Sequence, residues 1–115
     1  MSTESIGDIL RRLRVENELP LRKVAAMVDI DVAVLSKMER GERRLTKEIV
    51  QKLAKLYKHD TEELLVLFLS DKVLYEIGDE DLAIKALHVA EEQIKHRISH
   101  DLSDLQISMI KTKSK

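Results

Sequence analysis

Catalysis needs nucleophiles, paired acids or metal ligands at workable spacing, and this chain offers few of them. It contains no cysteine, which excludes thiolate chemistry and disulfides. His96 and His100 stand at the i, i+4 spacing of a two-ligand helical metal site, with His88 upstream. No cysteine or carboxylate completes that set, so surface histidines are the better reading. Asp79, Glu80 and Asp81 read as a loop and helix start, because acids favour that end of a helix. There is no glycine-rich phosphate loop, no nucleophile beside a base and no ordered carboxylate pair. The sequence therefore predicts no enzyme, no catalytic residue, no metal and no cofactor.

What remains is recognition chemistry. Residues 19–41 read as two short helices joined by a tight turn. Val24, Ala25 and Val28 share one face of the first, and Val34, Leu35 and Met38 one face of the second. The break between them is Asp29-Ile30-Asp31. Asp31 can accept a backbone N–H bond as N-cap of the second helix, and its charge suits the positive helix start. Ala25 is small enough for the two helices to cross closely. This is a helix-turn-helix pattern, a unit that lays its second helix in the major groove of DNA.

Such a unit needs a helical scaffold. One proline and three glycines in 115 residues, with abundant Leu, Lys, Glu, Ile and Ala, predict an all-α chain. The first helix is predicted over residues 5–17, with Ile6, Ile9, Leu10 and Leu13 buried. Pro20 suits the first position of the second. The third covers residues 32–40 and stops at Gly41. Thr46 is the expected N-cap of a fourth over residues 47–57, and Asp60 or Thr61 of a fifth over residues 62–77. Residues 64–69 are apolar on every face. A strand is the competing reading there, but the flanks are helix-like and no partner strand is visible. A helix apolar all round needs partners on more than one side. Gly78-Asp79 breaks the chain before a sixth helix over residues 80–99, striped by Ala83, Leu87, Ala90, Ile94 and Ile98. Leu102, Leu105, Met109 and Ile110 can add a short helix before a disordered lysine-rich end, and Met1 to Thr3 read as a loose start.

Residues 19–41 resemble the lambda-repressor-like (Cro-repressor, xenobiotic-response-element) helix-turn-helix family of transcriptional regulators. Leu19, Val24, Ala25, Val28, Ile30, Asp31, Leu35, Ser36, Glu39 and Gly41 match its run in register and without gaps. The likeness extends upstream through Ile6, Leu10, Leu13 and Arg14, and downstream through Ile49, Leu53, Ala54 and Leu64. It covers about residues 5–65. It implies an all-α, five-helix lambda-repressor-like DNA-binding domain over residues 1–65. Residues 66–115 then form a C-terminal helical dimerisation extension with a flexible tail.

The resemblance also implies a site. Residue by residue, Val32, Ala33, Ser36 and Lys37 take the base-facing positions. Lys37 can donate to guanine and Ser36 to either base type, whereas Val32 and Ala33 can only touch thymine methyls. Arg40, Arg43, Arg44 and Lys47 fall where the family's loop and fourth helix approach the DNA backbone, and Arg22 and Lys23 near the start of the second helix. Arg14 and Glu39 match the family's internal ion pair. Two positions depart from the pattern. Pro20 and Leu21 replace the usual Ser/Thr-Gln, removing a side-chain cap and a phosphate contact. Asp29 replaces the common turn glycine, and Asp tolerates φ > 0 better than most residues.

The formal net charge is −1, but it is unevenly spread. Residues 1–60 hold 13 Lys and Arg against 10 Asp and Glu, and residues 61–115 hold 7 against 11. A basic half followed by an acidic half fits a module facing phosphates with a second turned away from them. Dimerisation is expected from Leu64, Leu67, Phe68, Val73, Leu74, Ala83, Leu87, Ala90 and Ile94. These offer more apolar surface than a five-helix domain needs, and two-fold dimers double the base contacts. The expected partners are thus double-stranded DNA and a second copy, with any small-molecule ligand unspecified. The longest apolar run, residues 64–69, is far too short to span a bilayer and no signal peptide is visible, so the cytoplasm is expected. The implied function is a sequence-specific regulator on a palindromic operator, of the kind that includes restriction–modification controllers and antitoxin-type repressors. The alternative is a helix-turn-helix module that binds another protein with little DNA specificity.

Overall fold

The computed structural model describes residues 4–113, with side chains described as far as residue 102. Among the described residues there are six helices and no strand. They are α1 (Ile6–Glu16), α2 (Leu21–Met27), α3 (Val32–Glu39), α4 (Lys47–Leu56), α5 (Thr61–Ile77) and α6 (Ala83–Lys113). The chain divides into two compact units, Met1–Glu76 and Ile77–Lys115. All but the last residue of α5 thus lies in the first unit, whereas the sequence division at residue 65 runs through that helix.

Local chemistry explains the helix starts. Ser5 and Asp8 form a capping box on α1: the Ser5 hydroxyl accepts from Asp8 N (3.2 Å) and Asp8 accepts from Ser5 N (3.3 Å). The Asp31 carboxylate accepts from Ala33 N (2.7 Å), Thr46 accepts from Ile49 N, and Asp60 accepts from Glu62 N and Glu63 N. Pro20 is the N-cap of α2, with extended ψ of 149°, not its first helical residue. Its carbonyl accepts from Lys23 N and Val24 N, while no side chain caps this helix.

The helix ends share one device that the sequence hid. After α1, α2, α3 and α4 the chain turns through a left-handed residue: Glu18 (φ 55°), Asp29 (φ 57°), Gly41 (φ 77°) and Lys58 (φ 53°). Each end carries the paired backbone bonds of a Schellman motif, such as Leu19 N to Arg14 O and Glu18 N to Val15 O. Only one of the four residues is glycine, so Gly punctuation could mark only one turn.

The first unit closes around a single core. Ile6, Leu10 and Leu13 of α1 meet Val24, Ala25 and Val28, then Leu35, Val50, Leu53, Ala54, Tyr57, Leu64 and Phe68. Fully burying such aliphatic side chains stabilises the fold by roughly 1.5–3 kcal/mol each. Leu64 and Phe68 were expected at a dimer face; they are 0% and 4% exposed within this core, and Leu67 packs partly against it. The all-apolar stretch of α5 therefore splits, because a helix has only one face toward its own domain. Val66, Leu69, Val73 and Leu74 remain exposed.

In the second unit, the predicted helix over 80–99 and the short helix after it are one element, α6. No glycine or proline interrupts residues 83–113, so nothing ends the helix early. Lys111 to Lys113 continue it, in place of the expected disorder; residues 1–3 and 114–115 lie outside the described residues. Leu87, Ala90, Ile94 and Ile98 are exposed along α6, and Ala83 is half-buried. No helix among the described residues is long and apolar enough to cross a membrane.

Candidate nucleic-acid interface

The putting together of α2 and α3 begins at their shared turn. Val28 caps α2, Asp29 takes the left-handed conformation, and Ile30 N donates to Ala25 O at 3.0 Å. Asp31 then starts α3 at once. Val24, Ala25, Leu35 and Met38 bury the inner faces of both helices. The outer face of α3 is left with Val32, Ala33 and Lys37 exposed and Ser36 half-buried.

The far end of α3 is clamped to α1. Arg14 Nε donates to Glu39 Oε2 at 2.8 Å and Nη2 donates to Oε1 at 3.1 Å, a bidentate pair. A third N–H of Arg14 donates to Leu19 O at 3.0 Å, tying in the turn before α2. The two side chains are only 14% and 6% exposed. The hydrogen bond to Glu39 raises the Arg14 pKa, so the guanidinium stays charged. Below the pair, burial first and the Glu39 charge second push the Tyr57 hydroxyl well above the usual tyrosine range. That hydroxyl finds no hydrogen-bond partner among the described residues.

Gly7 makes the clamp possible. A Cβ there would stand 2.5 Å from Glu39 O and 2.9 Å from Met38 O, so α1 crosses the end of α3 at backbone contact. Gly7 falls outside the helix-turn-helix pattern, and an isolated glycine inside a helical pattern is itself a signal of close packing.

The cations around α3 are exposed but not equivalent. Arg22 and Lys23 occupy the first turn of α2, and Lys47 the first turn of α4. Arg40 Nη2 donates to Glu42 Oε2 at 2.9 Å, an exposed pair that offsets part of its charge. Arg43 and Arg44 lie on the linker to α4, and the Arg44 guanidinium rests on the Tyr75 ring of α5, 3.9 Å from its centroid. Nothing in the sequence pattern signalled that contact. Among the described residues no group of three or more His, Cys, Asp or Glu is placed to hold a metal ion.

Two helices joined by a tight left-handed turn and packed through buried inner faces, the second exposed along one face and bordered by cations, define a helix-turn-helix domain. The Helix-turn-helix family profile matches residues 10–64. Those residues form a helix-turn-helix domain of the lambda-repressor-like, DNA-binding type. Its fold is similar to the crystal structure of the clp gene regulator ClgR from Corynebacterium glutamicum, at 19% sequence identity and a TM-score of 0.50, covering 84% of this chain and 88% of that one. No curated protein sequence matches the chain.

Proposed function

We propose that this protein is a sequence-specific transcription regulator, working in the cytoplasm, that binds a palindromic operator as a homodimer with α3 in the major groove. The observation that carries the reading is the exposed face of α3, held rigid at both ends and bordered by cations. Asp31 caps its start and the Arg14–Glu39 pair fixes its end. Lys37 is then the hydrogen-bonding base reader, Ser36 its half-buried neighbour, and Val32 and Ala33 the apolar contacts. Arg43, Arg44, Lys47, Arg22 and Lys23 grip phosphates; Arg40 does so less, being paired to Glu42.

Operator selection from a random duplex library, followed by gel shifts across salt concentration, tests this. Lys37→Ala should relax preference at one position per half-site and cost about 1–3 kcal/mol on the right base. Arg43→Ala should weaken all sequences alike and flatten the salt slope by about one unit. A selected operator unchanged by Lys37→Ala would move α3 out of the groove. The rival reading, a protein-binding module, draws on Val32 and Ala33, whose side chains offer no hydrogen bonds to bases. It requires no selected palindrome and no steep salt dependence.

The dimer reading is supported by exposed apolar side chains on two helices: Val66, Leu69, Val73 and Leu74 of α5, and Leu87, Ile94 and Ile98 of α6. Clusters of this kind mark interaction surfaces, and a two-fold dimer covers a patch with itself. Leu74, at 63% exposed, can take a charge without disturbing the core, unlike Phe68. Leu74→Lys and Leu87→Lys should each lower the sedimenting mass to that of a monomer with helix content kept. A wild-type monomer at tens of micromolar would refute the assembly.

A further inference from the structure

We propose that Tyr75 is a positioning residue for DNA binding: its ring holds the Arg44 guanidinium ready for a phosphate. The proposal rests on the DNA-binding reading above. Arg44 belongs to the linker between α3 and α4, which has no regular structure of its own. An arginine on such a linker must give up much rotamer freedom to grip a phosphate. Here its Cζ sits 3.9 Å from the Tyr75 ring centroid, well inside the reach of a cation–π contact. With five N–H donors, a guanidinium held over a ring face has donors to offer an anion. Holding it there in advance removes part of the ordering cost of binding.

Two observations argue against simple packing. Tyr75 is 74% exposed, so the ring adds little to the core. The same stretch of α5 also carries Lys72, whose Nζ lies 4.8 Å over the Phe68 ring. Arg43, Arg44 and Lys72, with Asp71 as the one acid, border a crevice of about 130 Å³ beside the linker. The local excess of positive charge favours an approaching phosphate. α5 thereby supports the phosphate-gripping linker from behind, although no residue of α5 belongs to the helix-turn-helix pair itself.

The test is a gel-shift titration of the full chain on its selected operator and on random duplex. Tyr75→Ala should weaken both about two- to fivefold, the value of an exposed cation–π contact, with the melting temperature unchanged. Tyr75→Phe keeps the ring face and should bind like the wild type. In an Arg44→Ala background, Tyr75→Ala should add nothing further. Wild-type affinity in Tyr75→Ala overturns the proposal. So does tighter binding, which would make Tyr75 a residue that withholds Arg44 from DNA. The stack is read without DNA by the ring-current displacement of the Arg44 δ-methylene protons, expected in wild type and Tyr75→Phe and absent from Tyr75→Ala. Missing displacement with intact DNA binding overturns this proposal alone. A chain that shows the displacement but binds no duplex overturns the DNA reading and this proposal with it.

Discussion

Replacing Glu39 by alanine is expected to destabilise the protein by roughly 3–5 kcal/mol, the cost of stranding one partner of a buried ion pair. Glu39 is 6% exposed and accepts two of the three hydrogen bonds that Arg14 donates. Without it, a guanidinium that is only 14% exposed keeps a single carbonyl partner. The cost is structural, because the pair joins α1 to the last turn of α3. For a domain of this size about 4–8 °C of melting temperature is lost per kcal/mol, so calorimetry should register a fall well beyond 10 °C. DNA affinity should fall only as far as unfolding or loosening of α3 requires. A Glu39→Ala protein that melts like the wild type but no longer binds its operator would assign Glu39 to the DNA surface instead.

Gly7→Ala is the second large effect expected. Alanine in a helix ordinarily gains about 1 kcal/mol over glycine. Here the new Cβ would meet two backbone carbonyl oxygens, at 2.5 Å and 2.9 Å, and neither can rotate away as a side chain could. Overpacking of this kind costs about 1–3 kcal/mol, occasionally more, and the contact is short enough for the clash to outweigh the propensity gain. Relief requires α1 to back away from α3, which also draws Arg14 from Glu39. The two substitutions should therefore be less than additive in urea denaturation, since both loosen the same crossing. A Gly7→Ala midpoint at or above that of the wild type would mean that α1 and α3 do not approach this closely.

The sequence by itself determined the first five helices, their order and the helix-turn-helix pair, but not that residues 83–113 form one helix. Those features are written in short-range patterns. Val24, Ala25 and Val28 follow helical spacing, Asp31 and Thr46 announce helix starts, and Asp29 accommodates a left-handed turn. Arg14 and Glu39 were legible because their family positions are matched in register. Tertiary structure alone decided which face of α5 was already taken. Hydropathy counts apolar residues but does not say which neighbour covers them, so Leu64 and Phe68 looked available when the core had claimed them. It also decided that Gly7 sits under a backbone crossing, that Glu18 and Lys58 turn left-handed, and that Arg44 leans on Tyr75. Each of these depends on the distance between segments far apart in the chain or on backbone closure at a helix end. Neither follows from the period of the side chains, because periodicity specifies a face and only packing specifies what that face meets.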